Sequence, residues 1–516
     1  MLRVFQQDLF NPADFVITLE LVPGREVTSR SVDAIKGIAR DAFADGRISA
    51  VSITDNPGGN PSLSPDVIGH EIFKVGMDVI VHFTCRDMNR VGMESRALQL
   101  AMMGMKNLLA LTGDYTGAGF GGRGAPVFDL DSVTLQMMLK QLNMRLDAAG
   151  EPDDFLTGCA VSPFKQTEAE TFAQYAKLCR KIASGAQFII TQLGYDARKF
   201  AELRQMLKFM RLDVPVMGSV YILTPKAARI MNQGRVPGAV VTDKLCRTIE
   251  DEWKDADTGR RMAIERAARL GVVLKGLGYR GMHIGGVHTR FEPVAEILDR
   301  MAAIADHWPN YIADFDFPMP NGFYAFTATD ATDPAFNQNH AALPIVEKLR
   351  FESMRFFHDR FFTFGSDAAT PQYHELCRWI DDSRWIKTIF EHVENLAKKT
   401  MLGCRECGDC GIQHLAFLCP ESQCPKHTRN GACGGSGNGR CEVHPERPCV
   451  WTRAFKRLAS RGQIQQMAAG CVPPRMWELD HTSSWLNFHL MRDHQSVSQD
   501  LAGLCATPAC TRDQPD

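Results

Sequence analysis

Eight short apolar runs recur along the first 300 residues, near 15–22, 48–54, 77–85, 107–113, 156–162, 187–193, 215–222 and 280–287. Several stop on a polar or ionisable residue, as in Leu19-Glu20, Ile53-Thr54-Asp55, Thr84-Cys85-Arg86-Asp87, Leu111-Thr112-Gly113-Asp114 and Thr191-Gln192. A near-continuous apolar run is what a parallel strand buried on both faces needs. Helical periods fill the gaps over 31–45, 93–105, 131–148, 167–184, 196–210, 243–270 and 291–304, and the alternation is the βαβ signature. Strands whose polar ends converge on one face describe the carboxyl mouth of a (β/α)8 TIM barrel, so an α/β barrel is expected over residues 1–304.

A chain of 516 residues exceeds what one core supports, and the pattern changes after the barrel. Residues 305–399 are expected to form a connector, aperiodic over 305–345, and a helical extension with tracts at 342–362 and 381–399. A cysteine-rich domain is placed at 400–460 and a tail without a readable motif at 461–516. The formal net charge of -2 gives no bulk field that favours nucleic acid. No apolar run of about 18 residues predicts a membrane span, and the first residues do not read as a secretory signal. The expected setting is the cytoplasm.

Sixteen cysteines could build disulfides, but five are scattered over the first 400 residues and eight crowd between Cys404 and Cys449. Crowding of that kind points to metal or cluster ligation. Cys404, Cys407, Cys410, Cys419, Cys424, Cys433, Cys441 and Cys449 make two sites of four ligands the simplest count. The successive x2 spacings of the first three suit iron–sulfur clusters of the 4Fe–4S type. Zinc, which usually takes separated Cys-x2-Cys pairs, is the alternative.

The ordered strand ends Thr18-Leu-Glu20, Ser52-Ile-Thr54, Val81-His-Phe-Thr-Cys-Arg-Asp87, Leu111-Thr-Gly-Asp114 and Ile189-Ile-Thr-Gln192 resemble the methylenetetrahydrofolate reductase family over residues 10 to 300. The resemblance implies a flavin oxidoreductase that interconverts 5,10-methylene- and 5-methyltetrahydrofolate. It makes Glu20 the general acid that opens the imidazolidine ring, a task for a carboxyl kept protonated by burial. Asp114 would serve the flavin and the pterin, and Gln192 would read the pterin edge with an amide that both donates and accepts. For the flavin the resemblance nominates Thr54, His82, Leu111, Thr112, Gly113, Asp114, Phe128, Asp129, Arg180 and Lys181. Arg290, ending Val287-His-Thr-Arg290, is a candidate clamp for the folate carboxylate. A barrel-mouth ion pair, a turn aspartate and solvated helix charges are the ordinary alternatives for Glu20, Asp114 and the Arg180–Lys181 pair.

The chain departs from the family in two places. Thr112 stands where many relatives have an arginine, and Ser162, Gln166 and Gln174 replace the family's adenine-side Tyr, His and Asp. FAD is expected and FMN stays open. No Gly-x-Gly-x-x-Gly follows a strand, so NAD(P)H would bind the flavin face in the folate's place. The string from Cys424 to Cys449 resembles the C-terminal domain of the same family, which in acetogen-type reductases is a separate, cluster-bearing partner subunit. Here it is fused, which implies electron exchange with the flavin and a carrier such as ferredoxin. A homo-oligomer is expected. Two alternatives remain: a zinc-stabilised docking domain in place of clusters, and a flavin barrel with another substrate, as in proline dehydrogenases.

Overall fold

The structure is a computed structural model that describes residues 4–25, 29–150, 154–327, 336–340, 342–362, 369–497, 501 and 503–505. Thr329, Thr332 and Pro334 of the connector and Cys510 of the tail lie outside them. Eight strands close a barrel: β1 Val16–Leu21, β2 Ala50–Ile53, β3 Val79–Thr84, β4 Asn107–Leu111, β5 Leu156–Val161, β6 Phe188–Thr191, β7 Val216–Tyr221 and β8 Gly281–Gly285. They follow in chain order around the barrel and all pair in parallel, β8 closing on β1. Each strand falls inside the run expected for it.

Register fixes what faces what. Thr18 pairs with His283 and Glu20 with Ser52, and the His283 ring lies 2.7 Å from Thr18 Oγ1 and 3.4 Å from Ser52 Oγ, so side chains of three strands meet inside the mouth. The opposite end is stoppered by the helix Val4–Phe10, whose Phe5 and Leu9 join Val16, Ala50, Ile80, Leu109, Phe188 and Met217 in an interior apolar plug. Phe5 meets Phe188 edge-on at 5.4 Å, and its backbone N–H donates to Asp78 at 3.0 Å. Seven residues are too few for a clear helical period, which is why this helix is not expected from the sequence.

The helix expected over 243–270 is two, Asp243–Glu252 and Ala256–Gly276, because the Asp255 carboxylate accepts from Thr258 N and starts a new N-terminus. Pro65–Phe73 and Pro225–Asn232 are additional helices, each with proline in its first turn behind a Ser64 or Thr224 cap.

Past the barrel, helices span Ile345–Phe361, Ala369–Asp382 and Arg384–Leu402. Gly403 ends the last at φ 62, a left-handed turn that delivers the chain to Cys404. The cysteine segment lies against the barrel. Its helix Val450–Ala459 packs on the barrel helix Glu168–Ala183, with Phe455 stacked on Phe172 at 5.8 Å. Asp131 of the barrel accepts from the backbone N–H groups of Arg429 and Asn430.

The described residues after 460 pack into the same unit. The Asn430 side-chain amide exchanges two hydrogen bonds with the backbone of Val472, Asn487 donates to Gly408 O, and His494 meets Asp409. A disulfide joins Cys471 to Cys505, both outside the crowded segment. Among the described residues no helix is long and apolar enough to cross a membrane.

Candidate active site

A cavity of about 450 Å³ opens at the carboxyl mouth of the barrel. Glu20, Thr54, His82, Leu111, Thr112, Gly113, Asp114, Lys181 and Gln192 all line it, so the mouth brings together most of the residues nominated from the sequence. Part of the wall comes from the cysteine segment, through Lys426, Cys433, Gly434, Gly435 and Glu442.

Glu20 sits in a cluster. Its carboxylate is 3.7 Å from His283 Nε2, and donor atoms of Glu20, His82 and His283 lie within 4.8 Å of one another. Thr18 Oγ1 holds His283 Nδ1 at 2.7 Å and so aims the other ring nitrogen toward the carboxylate. Burial raises the Glu20 pKa, as the sequence led us to expect. The hydrogen bond and charge of His283, with the charges of His82 and His288, outweigh it and set the carboxyl below its usual value. Burial alone therefore does not set the protonation of Glu20. Burial drops His82 to about 4, so its imidazole is neutral at pH 7.

Asp114 is the opposite case. Burial raises its pKa and Glu442 adds to the rise, while Lys426, the Gly58 N–H at 3.0 Å and Arg86 work against it. Gly113 precedes it at φ 88, and a Cβ there would come 3.1 Å from Thr84 Cβ, so the turn requires glycine. Gln192 donates to Pro237 O at 3.1 Å and accepts from Leu193 N at 2.8 Å, which fixes the amide's orientation. Lys181 donates to Ala160 O at 2.6 Å, and burial lowers its pKa to about 8.

Thr54 Oγ1, His82 Nε2 and Ser162 Oγ belong to residues that line the cavity, and each is buried with no hydrogen-bond partner. Buried polar atoms are rarely left so unless a ligand or water meets them.

Other nominated residues stand elsewhere. Arg180 is buried beneath the indole of Trp451, 6.0 Å from ring to guanidinium, and donates to Ala469 O. It ties the barrel to the cysteine unit and does not line the cavity. Asp129 is engaged by Arg90 and by Trp477 Nε1, and Phe128 stacks on Tyr115 at 6.1 Å. The Arg290 side chain is 66% exposed beside Glu292. Ser162 and Gln174 do line the cavity, and Gln174 donates to Cys433 O. Gln166 lines a second cavity of about 330 Å³, which shares Met231, Val236, Pro237, Gly435 and Glu442 with the first.

Sequence reasoning passed over His283, Lys426 and Glu442. His283 had a signal, as an ionisable residue in an otherwise apolar eighth strand. The other two had none, because what matters is a contact across more than 300 positions, Lys426 to Gly113 O.

The eight cysteines divide into two neighbourhoods. Cys407, Cys410, Cys419 and Cys404 lie close enough to feel one another's charge, and Cys424, Cys433, Cys441 and Cys449 line one small cavity. Burial raises the thiol pKa in both sets, for example at Cys407 and Cys433, so ionising them calls for a nearby cation. Among the described residues, Glu20, His82 and His283 are the only three or more His, Cys, Asp or Glu residues whose donors lie within 4.8 Å of one another.

The fold is a (β/α)8 barrel whose mouth gathers an acid–imidazole cluster and a second carboxyl on one cavity, groups that can exchange a proton. Residues 6–301 match the family described as methylenetetrahydrofolate reductase, and residues 384–478 match one described as its C-terminal domain. The chain belongs to the methylenetetrahydrofolate reductase family.

Relatives include methylenetetrahydrofolate reductase 2 of Saccharomyces cerevisiae, 27% identical over 43% of this chain and 37% of that protein. A probable methylenetetrahydrofolate reductase (NADPH) of Caenorhabditis elegans is 23% identical over 38% of this chain and 28% of its own length. The chain thus spans about a third of the curated relatives it matches. Among solved structures, an uncharacterized Clostridium thermocellum protein that binds two copies of 5-methyl-5,6,7,8-tetrahydrofolic acid aligns over 59% of this chain and 99% of its own, at TM-score 0.40 and 14% identity.

Proposed function

We propose that this chain interconverts 5,10-methylene- and 5-methyltetrahydrofolate with a flavin held in the barrel mouth. The observation that carries the reading is the placement of Glu20 and Asp114 on one cavity, beside the unpartnered polar atoms of Thr54, His82 and Ser162. These residues suit a flavin: the glycine at 113 permits close approach, and the orphaned hydroxyls and imidazole are donors and acceptors for ring carbonyls and nitrogens. The adjoining second cavity favours the longer FAD over FMN. When bound, the flavin supplies the hydride.

The chain's own residues do the rest. The Glu20–His283 pair delivers a proton to the folate nitrogen whose bond to the methylene carbon breaks, and Thr18 holds the imidazole in line. Asp114, whose pKa burial raises, faces the same cavity and offers a carboxyl that can hydrogen-bond a ring held there. Gln192 presents an amide whose orientation is already set.

For the cysteine unit we favour iron–sulfur clusters over zinc. Cys404, Cys407 and Cys410 follow one another at x2 spacing, as in cluster-binding runs, whereas structural zinc usually takes separated Cys-x2-Cys pairs. Cys433 lines the flavin cavity, so a redox group held by its set would sit beside the flavin's own wall. That placement supports electron exchange with a carrier in addition to NAD(P)H.

Anaerobic purification with iron, zinc and flavin determination, followed by mixing the reduced protein with methylenetetrahydrofolate, tests the reading. Bound flavin that the folate reoxidises is expected. A protein that takes up no flavin, or whose reduced flavin ignores the folate, refutes it.

A further inference from the structure

One charged pair inside the cavity comes from outside the barrel. Lys426 is 2% exposed; its ammonium donates to Gly113 O at 2.8 Å and to both oxygens of Glu442 at 2.7 and 2.8 Å. Glu442 is itself 9% exposed, and its carboxylate lies 3.4 Å from the Cys433 sulfur. Both side chains line the cavity, on the side of the Gly113–Asp114 turn. Breaking such a pair leaves an uncompensated buried charge, and at low dielectric that charge acts strongly on its neighbours. Lys426 and Glu442 pull the protonation of Asp114 in opposite directions, a sign that both fields reach the turn.

We propose that the Lys426–Glu442 pair, carried by the cysteine unit, is a positioning element of the barrel's pocket that pins the Gly113–Asp114 turn and sets the charge felt by the redox cofactor there. The inference rests on the flavin reading above. Reduction adds negative charge to a flavin, so a nearby cation raises its potential and a nearby anion lowers it. Lys426→Met removes the cation and leaves the Glu442 carboxylate, whereas Glu442→Gln leaves the ammonium unbalanced. A mere strut between two domains would weaken the protein in both variants without separating their potentials.

The test uses the full chain under anaerobic conditions, with flavin potential measured against reference dyes and flavin affinity by fluorescence quenching. Lys426→Met is expected to lower the potential and weaken flavin binding by about tenfold, Glu442→Gln to raise the potential, and the double variant to return toward the parent value. Lys426→Arg keeps the cation and is expected to keep the potential, even where its longer fork disturbs the turn. Shifts of the same sign in the two single variants, or none, overturn the proposal. A parent protein without bound flavin overturns the flavin reading itself.

Discussion

The barrel and the cysteine unit are held together by opposite means. The strand interior of the barrel is apolar around the Phe5 plug, and Glu20, His82 and His283 lie at its mouth. The cysteine unit has a smaller apolar cluster around Leu418, Trp451 and Phe455 and encloses charges in its middle, where Asp409 is fully buried between Arg429 at 2.8 Å and His494. A barrel of this kind draws its stability from area removed from water. The cysteine unit depends on each charge keeping its partner and on whatever neutralises two sets of buried thiols. The barrel carries Glu20, and the cysteine unit reaches over to complete the same cavity.

The sharpest break in that division of labour is Glu20→Gln. If the barrel mouth performs the proton transfer, folate reduction should fall by about 10²- to 10⁴-fold, while flavin reduction by NAD(P)H stays close to the parent rate. Rapid-mixing measurements of the two half-reactions check it. Equal loss in both would make Glu20 a structural member of the mouth.

Asp409→Asn probes the other half. It leaves Arg429 and His494 buried against a neutral amide, at a cost of about 3–5 kcal/mol. Denaturant unfolding followed by tryptophan fluorescence should show the loss in the cysteine unit, where Trp451 reports, while barrel ellipticity holds. If both signals shift together, the two halves unfold as one body and the contrast drawn above is wrong.

A subtler probe returns to the mouth. Glu20 is set below its usual value because, against burial, the hydrogen bond and charge of His283 act together with the charges of His82 and His288. The acid form, and with it folate reduction, is depleted as pH rises through that lowered value. His283→Asn removes the opposing hydrogen bond and charge, burial then dominates, and the falling limb of the rate profile should move to higher pH. A limb that stays in place shows that His283 does not govern the proton.

The barrel was legible because period and polarity carry it: every strand from β1 to β8 lies within its expected apolar run. The lining of the mouth cavity was legible where a polar residue ends such a run, as at Glu20, Asp114 and Gln192. It was not legible at Arg180, which the resemblance nominated for the flavin and whose guanidinium the structure spends on Trp451 and Ala469 O. The effect of His283 on Glu20 was hidden for another reason. Desolvation can be guessed from apolar neighbours in sequence, but the imidazole that opposes it arrives from a strand some 260 positions away.

The smallest expected effect sharpens the comparison most, because it falls on the element that both halves share. Thr167 and Glu170 form a reciprocal capping box at the start of Glu168–Ala183. That helix packs on the barrel with one face and offers the other to the cysteine unit, through Phe172 on Phe455, Gln174 to Cys433 O and Lys177 to Gly431 O. Thr167→Ala should cost about 1 kcal/mol. Unlike Asp409→Asn, it should move the barrel and tryptophan transitions together, since fraying the first turn loosens a surface against which both are built. A shift confined to the barrel signal would mean that the cysteine unit holds its own shape without that helix, and that it rests on the barrel without depending on it.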